Sequence, residues 1–136
     1  MRTLRLDIYT PFGHYLSDQV DFLKVSSEEY TLGILPDHAP LISTVKICEL
    51  VIEKNNEKIS YAISGGIIKI NDNQVDLLVN AIESKDEIDL SRAESAKQRA
   101  ENRLINQIPE ETIDVTRAKL ALERANNRIR IKKGLE

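Results

Sequence analysis

The amino-acid sequence predicts an α+β protein in which an N-terminal β-sandwich, residues 1–86, precedes an antiparallel two-helix hairpin, residues 87–136. Three observations predict this class. Short runs of alternating apolar and polar residues, separated by turn residues, fill the first part. The second part has helical periodicity and no glycine before Gly134. One helical segment also occurs twice there, which indicates two similar helices that pair.

Six stretches in the first part have the composition and period of strands: 4–8, 20–25, 49–53, 58–63, 67–70 and 75–79. Polar turn residues at 54–57 and 71–73 predict two hairpins, and Gly65 and Gly66 are expected to start a new strand. Turn signals roughly 8–12 residues apart are typical of a sandwich or barrel. The scarcity of aromatic residues, 4% of the chain, predicts an aliphatic core.

The two helices are predicted at 88–104 and 113–129, with Pro109 in the break between them. Residues suited to helix starts stand before or at each segment: Asp86, Asp89, Thr112 and Asp114. Each helix carries a stripe of alanine, at 93, 96 and 100 and at 118, 121 and 125. Alanine buries little apolar surface, so we expect a hairpin that separates for a modest free energy.

A row of arginines runs beside each alanine stripe, because steps of 7 and 11 residues nearly complete whole helical turns. The rows are Arg92, Arg99 and Arg103, and Arg117, Arg124 and Arg128. Like charges four residues apart destabilise a helix by about 0.2–0.5 kcal/mol per pair, and guanidinium groups suit carboxylates and phosphates. The rows therefore favour an anionic partner, whereas the simpler interpretation is a solvated face of an ordinary helix pair.

Composition excludes several classes of function. The net charge of −3 disfavours nucleic-acid binding, although residues 1–86 carry 8 basic and 13 acidic residues and residues 87–136 carry 11 and 9. The single Cys48 is expected in the core of a protein from a reducing cytoplasm. No leader, no membrane-spanning run, no phosphate-binding loop and no catalytic or metal-ligand constellation is found in the sequence. We therefore expect a non-catalytic protein without a metal site.

Three motifs resemble the epsilon subunit of bacterial F-type ATP synthase, of the type that binds ATP: GILPDHAPL at 33–41, SGGIIKI at 64–70 and IDLSRA at 88–93. The resemblance covers essentially the whole chain. It implies a sandwich of two five-stranded sheets and a C-terminal hairpin. Relatives often have Gly and Glu where this chain has Tyr30 and Thr31, in the loop that leads into the first motif.

The function that the resemblance implies is regulation within the central stalk. The sandwich would dock on the gamma subunit and the c-subunit ring, at the cytoplasmic face of the cell membrane and without insertion into it. The hairpin would extend toward the alpha and beta subunits and restrain ATP hydrolysis. The predicted partner-contacting loop consists of Pro36, Asp37, His38, Ala39 and Pro40.

The resemblance also implies that the hairpin binds ATP as a regulatory ligand without hydrolysing it, and whether Mg²⁺ accompanies the ATP stays open. The implied ATP contacts are Glu83, Ile88, Asp89, Arg92, Ala93, Arg99, Arg124 and Arg128. The alternative is a stalk subunit or interaction module whose arginines contact only acidic protein surfaces. An independent RNA-binding adaptor is disfavoured by the acidic sandwich.

Overall fold

Eight strands and two helices make up the computed structural model, which describes residues 2–106 and 112–135. The chain divides into two compact units, Met1–Ser84 and Lys85–Glu136. The strands belong to the first unit: β1 (Leu4–Thr10), β2 (Gly13–Val20), β3 (Phe22–Ser26), β4 (Thr31–Ile34), β5 (Leu41–Lys54), β6 (Glu57–Asn71), β7 (Gln74–Val79) and β8 (Ile82–Ser84).

The two long strands β5 and β6 belong to both sheets of a sandwich. Residues 66–71 of β6 pair with β7, and β7 pairs in parallel with β1, which pairs with β2. Residues 61–63 of β6 pair with β8, and residues 51–53 of β5 pair with β3, which pairs with β4. The strand orders are β2-β1-β7-β6-β5 and β4-β3-β5-β6-β8. The implied sandwich of two five-stranded sheets is therefore confirmed.

The glycine pair lies inside β6, so the prediction of a strand beginning there is wrong. Gly65 has φ +87°, and a Cβ atom on Gly66 would lie 1.9 Å from the carbonyl oxygen of Leu78 in β7. Only glycine adopts that backbone conformation without strain and allows that close an approach. The two glycines thus allow one strand to pass from one sheet to the other.

Residues 20–25 do not form one strand as predicted. β2 ends at Val20 and β3 begins at Phe22, with Asp21 between them. The backbone N–H of Asp21 donates to the carbonyl of Glu53, and its carboxylate accepts from the N–H of Asn55, at 2.9 and 3.0 Å. These bonds to the β5–β6 hairpin turn the chain from the first sheet into the second.

The interior of the sandwich is aliphatic, as the composition predicts. Its fully buried side chains alternate along the strands and include Leu6, Ile8, Leu23, Leu50 and Leu77. Cys48 is also buried in this core. The hairpin turns predicted at 54–57 and 71–73 are confirmed, and both contain residues with positive φ.

The second unit contains a short 3-10 turn, Lys85–Glu87, followed by α1 (Leu90–Ile105) and α2 (Thr112–Lys133). Asp89 caps α1, whereas Asp86 lies in the 3-10 turn. α2 continues four residues past its predicted end and closes at Gly134, whose N–H donates to the carbonyl of Ile131. Pro109 and the side chains of Thr112 and Asp114 lie outside the described part of the chain.

Candidate functional site

The two helices pair in antiparallel orientation. The ammonium group of Lys132, at the end of α2, donates to the carbonyl of Lys85 before α1, at 3.1 Å. Lys133 lies 3.9 Å from the carboxylate of Glu94 in the first turns of α1. The last turn of α2 therefore lies beside the first turn of α1.

The alanine stripe forms the buried side of this pair. Four of its six alanines are buried, with exposures of 0–3%: Ala93, Ala100, Ala118 and Ala125. The other two, Ala96 and Ala121, are half-buried. Larger side chains beside the stripe, such as Leu104 and Leu122, are only half-buried as well. The helices therefore contact through small side chains, as the sequence predicts, and this contact buries little apolar volume.

The arginines of the predicted ATP site occupy accessible positions on both helices. Arg92 and Arg99 are exposed, and Arg124 and Arg128 are half-buried. Because Glu94 lies near Lys133, Arg99 lies at about the level of Arg128 in the antiparallel pair.

The charge of three of these arginines is not neutralised within the chain. In residues 2–106 and 112–135, the guanidinium groups of Arg92, Arg99 and Arg124 make no hydrogen bond or ion pair, whereas Arg128 has an interaction partner. Each unpaired guanidinium has five N–H donors directed into solvent or toward a ligand. The helix pair therefore offers charge-assisted donors from both of its members.

The remaining predicted contacts divide by environment. Asp89 is exposed, and its Oδ1 atom accepts from the backbone N–H of Arg92 at 3.1 Å, which caps α1. Ile88 and Ala93 are buried, each 3% exposed. Glu83 lies in β8 of the first unit and is half-buried. Asp89 is thus the residue of this set that directly positions another member, Arg92.

The electrostatic environment at the start of α1 is positive. The partial positive charge of a helix N-terminus is joined there by Lys85 and by Lys132 and Lys133 from the end of α2. Arg92 stands in the first turn of α1. Such a combination of a helix N-terminus and cationic side chains is suited to a phosphate group.

Sequence reasoning missed a second buried face of α2. Asn127 and Ile131 are 2% and 3% exposed and lie on the side of α2 opposite Ala118 and Ala125. The side-chain oxygen of Asn127 accepts from the guanidinium of Arg130 at 3.0 Å. Spacing by four residues was the available signal, but a polar amide and one isoleucine amid charges are too weak a pattern to reveal it.

The predicted partner loop lies between β4 and β5, flanked by exposed Leu35 and Ile42. Asp37 has φ +68°, and its backbone N–H donates to the side-chain oxygen of Asn73 at 2.6 Å. The amide of Asn73 donates back to the Asp37 carboxylate, and this bond is the main cause of the lowered pKa of Asp37. The His38 ring donates from Nδ1 to the carbonyl of Ala39, which leaves Nε2 without its proton in the neutral ring.

An apolar row crosses the outer face of the first sheet. Tyr9, Leu78 and Ile67 are neighbours on β1, β7 and β6, and they are 38%, 50% and 49% exposed. They line a shallow depression of about 360 Å³. Phe12, in the adjacent β1–β2 turn, is almost fully exposed. A contiguous exposed apolar surface of this kind is typical of a protein-binding site.

A polar network lies on the same face of this sheet. The carboxylate of Asp7 accepts from Gln74 at 2.7 Å and contacts His14 at 3.0 Å, while Arg5 lies 3.6 Å away. The hydrogen bond from Gln74 is the largest of the interactions that lower the pKa of Asp7 to about 2. Asp7 is therefore ionised at neutral pH and satisfied inside the sandwich unit.

Fold and site together define a β-sandwich protein with an arginine-bearing helical hairpin, and two family matches identify the class. Residues 3–85 match the family described as "ATP synthase, Delta/Epsilon chain, beta-sandwich domain". Residues 86–133 match the family described as "ATP synthase, Delta/Epsilon chain, long alpha-helix domain". The chain therefore belongs to the delta/epsilon family of ATP synthase subunits. This membership confirms the resemblance drawn from the motifs and makes the chain a non-catalytic subunit of that complex.

Curated relatives support the same assignment. The "ATP synthase epsilon chain" of Pelotomaculum thermopropionicum is 43% identical over 103 residues, which span 76% of this chain and 77% of the relative. The protein of the same name from Bacillus licheniformis is 38% identical over 110 residues, spanning 81% and 84%.

Solved structures show the same fold at low identity. A chain of the Euglena gracilis mitochondrial ATP synthase, in its OSCP/F1/c-ring structure, aligns with a TM-score of 0.80 at 23% identity, covering 92% of this chain and 78% of that one. A chain from the central stalk and c-ring of the Tetrahymena thermophila enzyme aligns with a TM-score of 0.60 at 15% identity, covering 98% and 96%. At these identities the likeness concerns the fold alone.

Two further findings concern the described residues only. No helix among them combines the length and the apolar character needed to span a bilayer. No group of three or more His, Cys, Asp or Glu side chains among them is arranged to hold a metal ion.

Proposed function

We propose that this subunit regulates ATP synthase from the central stalk, with a sandwich that transmits rotation and a hairpin that senses ATP without hydrolysing it. The sandwich docks on the gamma subunit and the c-subunit ring, at the cytoplasmic face of the membrane. The hairpin, when extended toward the alpha and beta subunits, restrains ATP hydrolysis. Binding of ATP holds the hairpin in its paired form.

The observation that carries the proposal is the set of unpaired guanidinium groups on both sides of an alanine seam. Arg92 and Arg99 on α1 and Arg124 on α2 lack partners among the described residues, although the chain carries 22 acidic residues. A purely solvated surface normally intersperses opposite charges. Donors left open on two paired helices suit one polyanionic ligand that contacts both.

ATP supplies the cohesion that the alanine seam lacks. Its phosphates accept bidentate bonds from guanidinium groups, and the start of α1 adds backbone donors and a favourable dipole. A ligand that binds only the paired form stabilises it by RT ln(1 + [ATP]/Kd), about 2.7 kcal/mol at one hundred times Kd. Ile88 and Ala93 form the apolar wall, while Asp89 keeps Arg92 at the helix start.

Docking of the sandwich on gamma is supported by the apolar row of Tyr9, Leu78 and Ile67 on an outer sheet face. Burial of apolar area contributes roughly 25 cal/mol per Å², so a partner that covers this row gains more than one that binds a polar face. The partner loop, with Leu35 and Ile42 exposed beside it, serves the contact with the ring.

Calorimetric titration of the purified chain with ATP and with ADP tests sensing. We expect heat of binding for ATP, lost or reduced on the order of tenfold or more in Arg99→Ala, because a charge-assisted bond contributes about 1.5–3 kcal/mol. Arg103→Ala is the matched control, since it removes the same charge from an exposed position on the same helix outside the proposed set.

The absence of heat with ATP at millimolar concentration rejects sensing and favours the alternative, in which the arginines meet acidic protein surfaces only. In that case Arg92→Ala and Arg99→Ala alter inhibition in the assembled enzyme and leave the free subunit unchanged. Titration with and without Mg²⁺ decides whether the ion accompanies the nucleotide.

Docking is tested by Ile67→Asp, which places a charge in the apolar row and is expected to prevent co-purification with gamma. Ile59→Asp is the matched control, because Ile59 is an exposed isoleucine on the other end of the same strand, β6. Equal retention of both variants on the complex would place the gamma contact on another surface.

A further inference from the structure

The side chain of Asn73 joins two segments that are far apart in sequence. Asn73 stands in the two-residue turn between β6 and β7 with φ +61°. Its amide exchanges two hydrogen bonds with Asp37 in the partner loop, one with the backbone N–H at 2.6 Å and one with the carboxylate at 3.2 Å. Its own carbonyl accepts from the N–H of Arg5 in β1 at 2.8 Å.

The residue that Asn73 holds has a strained backbone. Asp37 adopts φ +68°, a left-handed conformation that non-glycine residues enter only when the surroundings favour it. The backbone N–H of Asp37 has no regular strand partner in the loop, and Asn73 satisfies it. Arg2 pairs with the same carboxylate on an exposed surface, where an ion pair contributes little. Asn73 is therefore the main anchor of this conformation.

We propose that Asn73 is a positioning residue that holds the partner loop in the shape required for binding the ring, an inference that rests on the proposed docking role of that loop. Asn73 does not itself bind the partner. It fixes Asp37, and with Asp37 it fixes the next residue, His38, whose ring is oriented through its bond to Ala39. The acceptor Nε2 of His38 is thereby held ready for a donor on the partner.

The chain contains a matched control for this residue. Asn56 occupies the equivalent place in the turn between β5 and β6, with φ +65°, and its side chain makes no hydrogen bond with a described residue. Glycine adopts positive φ without strain, so Asn73→Gly and Asn56→Gly each remove a side chain and leave the turn intact. Only the first variant releases the partner loop.

The test is restoration of ATP-driven proton pumping in membrane vesicles whose ATP synthase has been depleted of this subunit. We expect Asn73→Gly to raise the half-restoring concentration on the order of tenfold, because two hydrogen bonds no longer select the binding-competent loop. Asn56→Gly should match the unmodified chain. The urea unfolding midpoints of the two variants should agree, which separates positioning from general destabilisation.

Two further variants make the outcome decisive. Asp37→Gly also suits its positive φ, and if Asn73 acts through Asp37, the double variant is less impaired than the product of the single effects. Multiplying effects overturn the proposal, as does an Asn73→Gly chain that restores pumping at the normal concentration. If His38→Ala then raises that concentration, only the positioning role fails. If His38→Ala is also without effect, the docking role of the loop fails with it.

Discussion

The interior of the sandwich and the seam of the helix pair bury their side chains to similar extents but with different energetic consequences. Leu6, Ile8 and Leu77 in the sandwich are 0% exposed, and Ala100 and Ala125 in the seam are 3% and 0% exposed. A leucine buries three more carbons than an alanine, which is worth roughly 2 kcal/mol per site. Equal burial therefore produces a robust platform in one unit and a weakly held pair in the other.

The charges differ between the two units in the same sense. In the sandwich, Asp7 and Asp18 have lowered pKa values because Gln74 and Lys54, respectively, donate hydrogen bonds to them. In the helix pair, Arg92 and Arg99 lack partners among the described residues. One unit satisfies its charges internally, whereas the other presents them to a ligand. A regulatory element that responds to ATP needs this second arrangement.

The largest expected effect sharpens the first side of the comparison. Gly66→Ala places a Cβ atom 1.9 Å from the backbone oxygen of Leu78, and a backbone cannot yield as a side chain does. We expect a loss of more than about 4 kcal/mol or failure of the sandwich to fold, measured by urea unfolding. Gly33→Ala, whose Cβ would meet the Phe22 ring at 3.4 Å, is the control and should cost less than about 1 kcal/mol. Equal stability of the two variants contradicts the close approach.

A second change tests whether the seam depends on small residues. Ala125→Leu adds three carbons at a position that is 0% exposed, and we expect the paired helices to lose about 1–3 kcal/mol. Amide hydrogen exchange should report lower protection in residues 90–133 and unchanged protection in the strands. Ala121→Leu, at a half-buried site on the same helix, should have a smaller effect. An increase in helix protection would show that the seam has room for leucine.

The third prediction concerns acid stability of the sandwich. The pKa of Asp7 is lowered to about 2 from 3.8, so its contribution is fully present above pH 4 and is lost as the pH falls toward 2. Asp7→Asn should reduce the free energy of unfolding at pH 7 by about 1–2 kcal/mol and flatten its decline between about pH 4 and 2. Asp72→Asn, in an exposed turn, serves as control. Parallel pH curves for Asp7→Asn and the unmodified chain would contradict this assignment.

The smallest expected effect concerns the end of α2. Lys132→Met removes the bond from the ammonium group to the carbonyl of Lys85 and should lower helix protection by about 0.5–1 kcal/mol. Lys133→Met breaks only the exposed pair with Glu94 at 3.9 Å, so its effect should be near zero. The same hydrogen-exchange experiment measures both. A larger loss in Lys133→Met would reverse the ranking of the two contacts.

Local signals explain which parts of the fold were predictable. The pairs Asn55–Asn56 and Asp72–Asn73 adopt positive φ through their own short polar side chains, so the sequence reveals both hairpins. The helices follow from periodicity, and the Asp89 cap follows from its place before α1. The positions of the arginines on the helices follow from spacing alone.

Contacts between distant residues explain what could not be predicted. β6 continues through Gly65 and Gly66 because β7 comes close to it, and the turn at Asp21 depends on acceptors and donors in the β5–β6 hairpin. The link from Asn73 to Asp37 is hidden in sequence, because asparagine in a turn is sufficiently explained by its φ. The lack of partners for Arg99 depends likewise on where every carboxylate lies.

By itself, the sequence determined the order of sandwich and hairpin, the turns, the alanine stripe and the family, because each is encoded in neighbouring residues or in a contiguous motif. Only the tertiary structure decided that two long strands serve both sheets, that Asn73 anchors the partner loop and that three arginines keep free donors. The physical reason is that hydrogen bonding, close packing and charge pairing are settled between atoms in space, and chain spacing does not report which atoms meet.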